Sequence, residues 1–158
     1  MLSHIVSEIE SCLTGEMQCA ALEFVQYLEH AGLDFYRDRS ACWKDKIYYW
    51  VTCREQCVCF IALRDPDEPE NAWTVWSEDS PVYEADAVSD AVRTVGWNHV
   101  GYCGSCGSCG GGREKIIFGK AFPGVCGCTF RVDNAGCGEL DFLKTMVSLR
   151  LQEIKENQ

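Results

Sequence analysis

The sequence predicts an α+β fold: a mainly antiparallel sheet packed by N-terminal, middle and C-terminal helices, with a Cys-rich metal knuckle. Three observations carry that prediction. Apolar residues recur at three-and-four spacing towards both ends of the chain, the signature of amphipathic helices. Aromatic and β-branched runs cluster in the middle and do not alternate strictly with helices, which argues against a doubly wound parallel sheet. The stretch "YCGSCGSCGGG" at 102–112 sets three cysteines at intervals of three among glycine and serine.

Taken in order, residues 3–12 and 15–31 are expected to be helical. Met17, Ala20, Ala21, Phe24, Val25 and Leu28 share a face, and Gly32 supplies a stop. Cys12 and Cys19 on these helices read as small buried hydrophobes. "KIYYWVTC" (46–53) and "CVCFIAL" (57–63), separated by "REQ", read as a β-hairpin. Its cysteines, Cys53, Cys57 and Cys59, read as packing residues. "RDPDEPEN" (64–71) is an acidic turn that lacks the ligand spacing and central glycine of a calcium loop. "WTVWSE" (73–78) is a third strand. Ser80-Pro81 opens a helix running to about Val95, with Ala85, Val88, Ala91, Val92 and Val95 on its apolar side and Gly96 at its end. "EKIIFG" (114–119) reads as a strand and "CGCTFRV" (126–132) as a turn followed by another. A last helix covers 138–155, with Leu140, Leu143, Met146, Val147, Leu151 and Ile154 as its buried stripe.

A chain of 158 residues, 47% hydrophobic, suits a single domain (1–158) with a core that needs no disulfide staples. The net charge of -10 repels phosphate backbones and anionic membrane surfaces, so neither nucleic acid nor membrane is expected as a partner. No apolar run approaches the ~20 residues of a membrane span. The opening "MLSHIVSEIESCLTG" carries Glu8 and Glu10 and lacks a basic leader segment. A cytoplasmic location is therefore expected, where twelve cysteines are thiols or metal ligands and not a disulfide framework.

The cysteine cluster points to zinc. A C-x-x-C knuckle aims two thiolates at one ion, and Gly104, Gly107 and Gly110, each following a cysteine, permit the turns this needs. Cys126 returns after a strand-length segment, giving the two half-sites of a tetrahedral Zn2+ centre. The expected ligands are Cys103, Cys106, Cys109 and Cys126, with Cys128 as the alternative fourth. Cys137 and His99 are further substitutes. An iron–sulfur cluster is the alternative cofactor, although the run lacks the fourth cysteine before proline found in ferredoxins. A thiol redox pair is a second alternative, without a helix start to lower a thiol pKa.

A small-molecule pocket is a further expectation. Tyr48 and Trp50 share one face of their strand, while Ile47, Tyr49 and Val51 share the other. Trp73 and Val75 oppose Thr74 and Trp76 in the same way. Both faces of the sheet thus carry large rings, and the face away from the helices is free to line an aromatic pocket at Tyr48, Trp50 and Trp76. Only three histidines exist, two of them on the first helices, so catalysis by a nucleophile and base has little support. The reading is a non-enzymatic binding or regulatory module with a structural zinc site.

The stretches "WTVWSEDS", "WNHVGYCGSCGSCGGGREKIIFGKAFPGVCGCTFRVDN" and "LDFLKTMVSLR" together resemble small uncharacterised bacterial α+β proteins with a tryptophan-rich sheet and a cysteine knuckle followed by an IFGK-x-F segment. The resemblance covers about half of the chain. It implies a binding module more than an enzyme, and shared ligands at Cys103, Cys106, Cys109 and Cys126, with Cys128 and Cys137 as extras.

Overall fold

The computed structural model describes residues 2–39, 47–64, 69–107 and 110–157. Cys109 and residues 65–68 of the acidic turn lie outside the described residues. Four helices and seven strands follow the order α1 (Leu2–Cys12), α2 (Gly15–His30), β1 (Asp34–Asp38), β2 (Ile47–Cys53), β3 (Gln56–Arg64), β4 (Thr74–Ser77), α3 (Asp90–Asn98), β5 (Val100–Tyr102), β6 (Arg113–Ile117), β7 (Lys120–Asp133) and α4 (Leu140–Glu156). Every strand pair is antiparallel, in the order β1-β2-β3-β4-β7-β5, with β6 also paired to β7. The fold is α+β, as the clustered strands predict.

The 14-residue β7 joins the two parts of the sheet. Its C-terminal end pairs with β4, and at Val125 it is flanked by Tyr102 of β5 and Arg113 of β6. At the far end of the strand order, β1 is short and charged, with the sequence DFYRD. Arg37 of β1 pairs with Glu8 of α1, whose other carboxylate oxygen accepts a hydrogen bond from the Tyr49 hydroxyl.

Helices cover one face of the sheet. Tyr49, Val51, Cys59, Ile61, Val75, Phe130 and Val132 point to that side and are fully buried with Ile5, Ile9, Phe24 and Phe142. Phe130 lies at the centre, its ring 5.1 Å from Tyr83, 5.6 Å from Phe118 and 5.0 Å from Phe142.

The hairpin expected between 46–53 and 57–63 forms, and its two turn residues Arg54 and Glu55 both have positive φ, 51° and 66°. That is the type I′ geometry matched to strand twist, here without the usual Asn-Gly. The β6–β7 hairpin turns at Phe118-Gly119, again with both φ positive.

The middle helix differs from expectation. The segment 81–95 is not one helix: a single 3-10 turn covers Pro81–Tyr83, and α3 begins only at Asp90. Two serines cap separately, Ser80 accepting from the Val82 amide and Ser89 from the Val92 amide. Between them, the carbonyls of Tyr83 and Glu84 accept from the Phe118 and Gly119 amides at 2.8 and 3.0 Å. Carbonyls held by a neighbouring hairpin cannot also support a helical ladder. Nor does Gly96 end the helix, which continues to Asn98. A Cβ there would meet Phe118 at 2.7 Å and Phe142 at 3.0 Å, so glycine serves close packing. Cys19 is exposed, contrary to its reading as a buried hydrophobe, whereas Cys59 is fully buried and Cys12 and Cys53 pack against the core.

Candidate functional site

The face of the sheet away from the helices carries a row of side chains in register: Tyr36, Trp50, Phe60, Trp76 and Arg131, one from each of five adjacent strands. Alternation along each strand puts them on the side opposite Tyr49, Ile61, Val75 and Val132. Tyr36 is 57% exposed and Trp50 45%, the latter packed edge-on to Phe60 at 4.7 Å. Tyr48 stacks on Trp76 at 5.7 Å with the rings nearly parallel, and the Arg131 guanidinium lies 5.4 Å above the same indole.

Towards β5 this surface deepens into a cavity of about 490 Å³, lined by Tyr48, Phe60, Trp76, Tyr102, Arg131 and three cysteines, Cys106, Cys126 and Cys128. The two features expected separately from sequence, an aromatic pocket and a cysteine cluster, thus share one wall. Trp50 is not in the lining; it buttresses Phe60 from outside.

Cys126 and Cys128 are one strand repeat apart on β7, and their Sγ atoms are 3.5 Å apart, the Cys128 thiol donating to Cys126. Burial pushes the Cys128 thiol up to about 12, the hydrogen bond and charge of Cys126 act in the same sense, and Lys115 opposes them. Two anchors fix this segment. The Ser77 hydroxyl, itself fully buried, donates to the Cys128 carbonyl and accepts from the Phe130 amide at 3.1 Å. Lys115 donates to the Gly127 carbonyl at 3.0 Å and to the Thr129 hydroxyl at 2.9 Å, while pairing with Asp79 at 2.9 Å. Thr129, between the anchors, is held at a φ of 70°.

The cysteine loop leaves β5 after Tyr102. The Cys103 amide donates to the Gly124 carbonyl at 2.9 Å. Its Sγ accepts from the Ser105 amide at 3.4 Å, with Ser105 at a φ of 58°. An amide turned back onto the sulfur two residues earlier is the arrangement expected of a thiolate knuckle, where N–H groups stabilise the ligand charge. Gly112 closes the loop against β7: a Cβ there would sit 2.7 Å from Cys103 Cβ and 2.9 Å from the Gly124 backbone. Between these clamps, a Cβ built at Gly104, Gly107, Gly110 or Gly111 meets nothing within 4 Å.

Of the expected ligands, the structure brings Cys126 beside Cys128 and sets Cys106 in the same cavity lining, with Cys103 just past β5 and hydrogen-bonded to Gly124. Among the described residues, no group of three or more His, Cys, Asp or Glu side chains is gathered as a metal shell. Cys137 is remote, its amide bonded to Glu16, and His99 forms the end of α3. Sequence reasoning missed Ser77, Lys115 and Phe60. A signal for the 126–128 pairing was present, since period two puts both cysteines of C-x-C on one face of a strand.

No protein-family model, curated protein or solved structure matches the chain. Among the described residues, no helix is long and apolar enough to cross a membrane.

Proposed function

We propose that the protein is a non-enzymatic binding module in which one zinc ion, held by Cys103, Cys106, Cys126 and Cys128, fastens the knuckle loop across the rim of the aromatic cavity. The reading is carried by the Cys126–Cys128 separation of 3.5 Å within a wall that Cys106 also lines. Two sulfurs bound tetrahedrally to one zinc at about 2.3 Å stand roughly 3.8 Å apart, so this pair needs only a few tenths of an ångström of adjustment. The Ser105 amide on Cys103 Sγ supports the knuckle half of the site. A Cβ at Gly104, Gly107, Gly110 or Gly111 would meet open space, so these positions leave room for the loop to close onto an ion, and metal binding then contributes to folding. The cavity volume lies within the range of roughly 300–1,000 Å³ usual for small-molecule sites, which supports an apolar or aromatic ligand against Tyr48, Phe60 and Trp76.

Elemental analysis of protein purified without chelator tests the metal. One zinc per chain is expected, lost in Cys128→Ala and in Cys106→Ala and kept in Cys109→Ala. Iron with acid-labile sulfide and a brown colour would replace the zinc reading with a cluster. Colourless protein that takes up no zinc would end both.

A further inference from the structure

The Cys126–Cys128 pair is built for a second chemistry. The two sulfurs already face each other at 3.5 Å, with Gly127 alone between the cysteines. They lie where β7 bulges, residues 125–130 facing only residues 100–102 of β5. Bonding draws the sulfurs to about 2.05 Å, and the glycine lets the backbone make the small contraction this requires. Strained or exposed disulfides are the labile, exchangeable ones, in contrast to buried structural bridges. The surrounding cavity opens both sulfurs to a small reagent, and the two anchors, Ser77 and Lys115, hold the backbone on either side.

We infer that Cys126-Gly127-Cys128 is a thiol–disulfide exchange site whose co-substrate is a small disulfide. The inference shares its sulfurs with the proposed zinc centre but does not depend on the metal. Cys126, which receives the hydrogen bond from Cys128, is the sulfur that attacks first, its proton passing to solvent. Its sulfur bonds to one sulfur of the small disulfide, the S–S bond of that reagent breaks, and one small thiolate leaves with the electron pair. Cys128 Sγ then bonds to Cys126 Sγ, its proton passing to the second small thiolate as that group leaves. The protein dithiol is oxidised by two electrons, and the reagent is reduced to two thiols. Bound zinc would occupy both sulfurs and block the first step, so metal loss arms the pair.

The test uses the full chain, reduced and stripped of metal by a chelator, then incubated with glutathione disulfide, alkylated and mapped by mass spectrometry. The expected product is a peptide containing residues 126–128 that has lost two hydrogens and resists alkylation, with two glutathione thiols released for each such bond formed. Cys128→Ser is expected to stop at a mixed disulfide between Cys126 and glutathione. Alkylation of both Cys126 and Cys128, separate glutathione adducts on each, or a bond from either to a distant cysteine would overturn the inference. The mapping of the unaltered protein decides it even where the variant does not fold. Protein that carries no zinc yet forms this bond would remove the metal reading alone. Zinc-binding protein whose stripped form keeps both thiols would remove the exchange site alone.

Discussion

The two faces of one sheet differ in what their aromatic residues do. On the helix side, Phe130, Phe118, Phe142 and Tyr83 are buried to within 1% and touch one another in edge-on and stacked pairs. On the other side, Trp50 and Tyr36 remain about half exposed, and Trp76, stacked on Tyr48, borders an open cavity. The same residue types thus serve stability on one face and leave rings exposed on the other. Alternation along β1, β2, β3 and β4 sets Tyr36, Trp50, Phe60 and Trp76 on the open side, while the buried rings come from β7, α4, the 3-10 turn and the β6–β7 turn. On the proposed reading, these exposed rings are the contact surface for the ligand.

The comparison is broken most severely from the covered side. Phe130→Ala removes the ring at the centre of the cluster and should destabilise the fold by about 3–5 kcal/mol, read from chemical denaturation. Ser77→Ala comes next. It leaves the buried Cys128 carbonyl and Phe130 amide without their partner, at about 1–3 kcal/mol. The same variant should also lower zinc stoichiometry, because Ser77 sets the position of Cys128. Trp50→Ala on the open face should cost only about 0.5–1.5 kcal/mol through its edge contact with Phe60. A loss as large as that of Phe130→Ala would show that the two faces are not different in kind.

The smallest effect concerns Asp79. Burial pushes its carboxyl up, but hydrogen bonds and charge from Lys115 and Arg113 outweigh this and hold it below the ordinary 3.8. A depressed carboxylate stabilises the fold fully above its ordinary value and loses that contribution as the pH falls through the folded value. Denaturation midpoints of the wild type and Asp79→Asn should therefore differ at neutral pH and converge on acidification. A gap that persists unchanged in acid would mean that Asp79 acts through packing and not through the Lys115 and Arg113 pairs.

Much of the architecture was legible before any coordinates. The helices at both ends, the β2–β3 hairpin and the split of large rings between two faces all follow from periodicity. What was not legible depended on tertiary partners. The break in 81–95 arises because the hairpin turn at Phe118-Gly119 takes the carbonyls of Tyr83 and Glu84. Strand β1 went unread because DFYRD is polar and short, and only its pairing with β2 makes it a strand. Strand β7 was read as a turn and a short strand because Pro123, Gly124 and Gly127 interrupt it. Its N-terminal half is instead held by β6 and β5, and proline is tolerated in a strand where no ladder donor is required. At the site, the residue types were foreseeable, but the convergence of Cys126 and Cys128 with Tyr48 and Trp76 needed the register of four strands.

The charged β1 has a consequence for how the molecule coexists with copies of itself. A sheet with an uncovered aromatic face invites edge-to-edge growth, in which one copy's terminal strand templates the next. Here one end of the strand order is DFYRD, with Arg37 tied to Glu8 of the first helix, and the other is β5, three residues long. Charged or very short terminal strands discourage such templating, and the net charge of -10 adds mutual repulsion. The open rings are therefore flanked, at both ends of the strand order, by strands that offer a poor template to another copy.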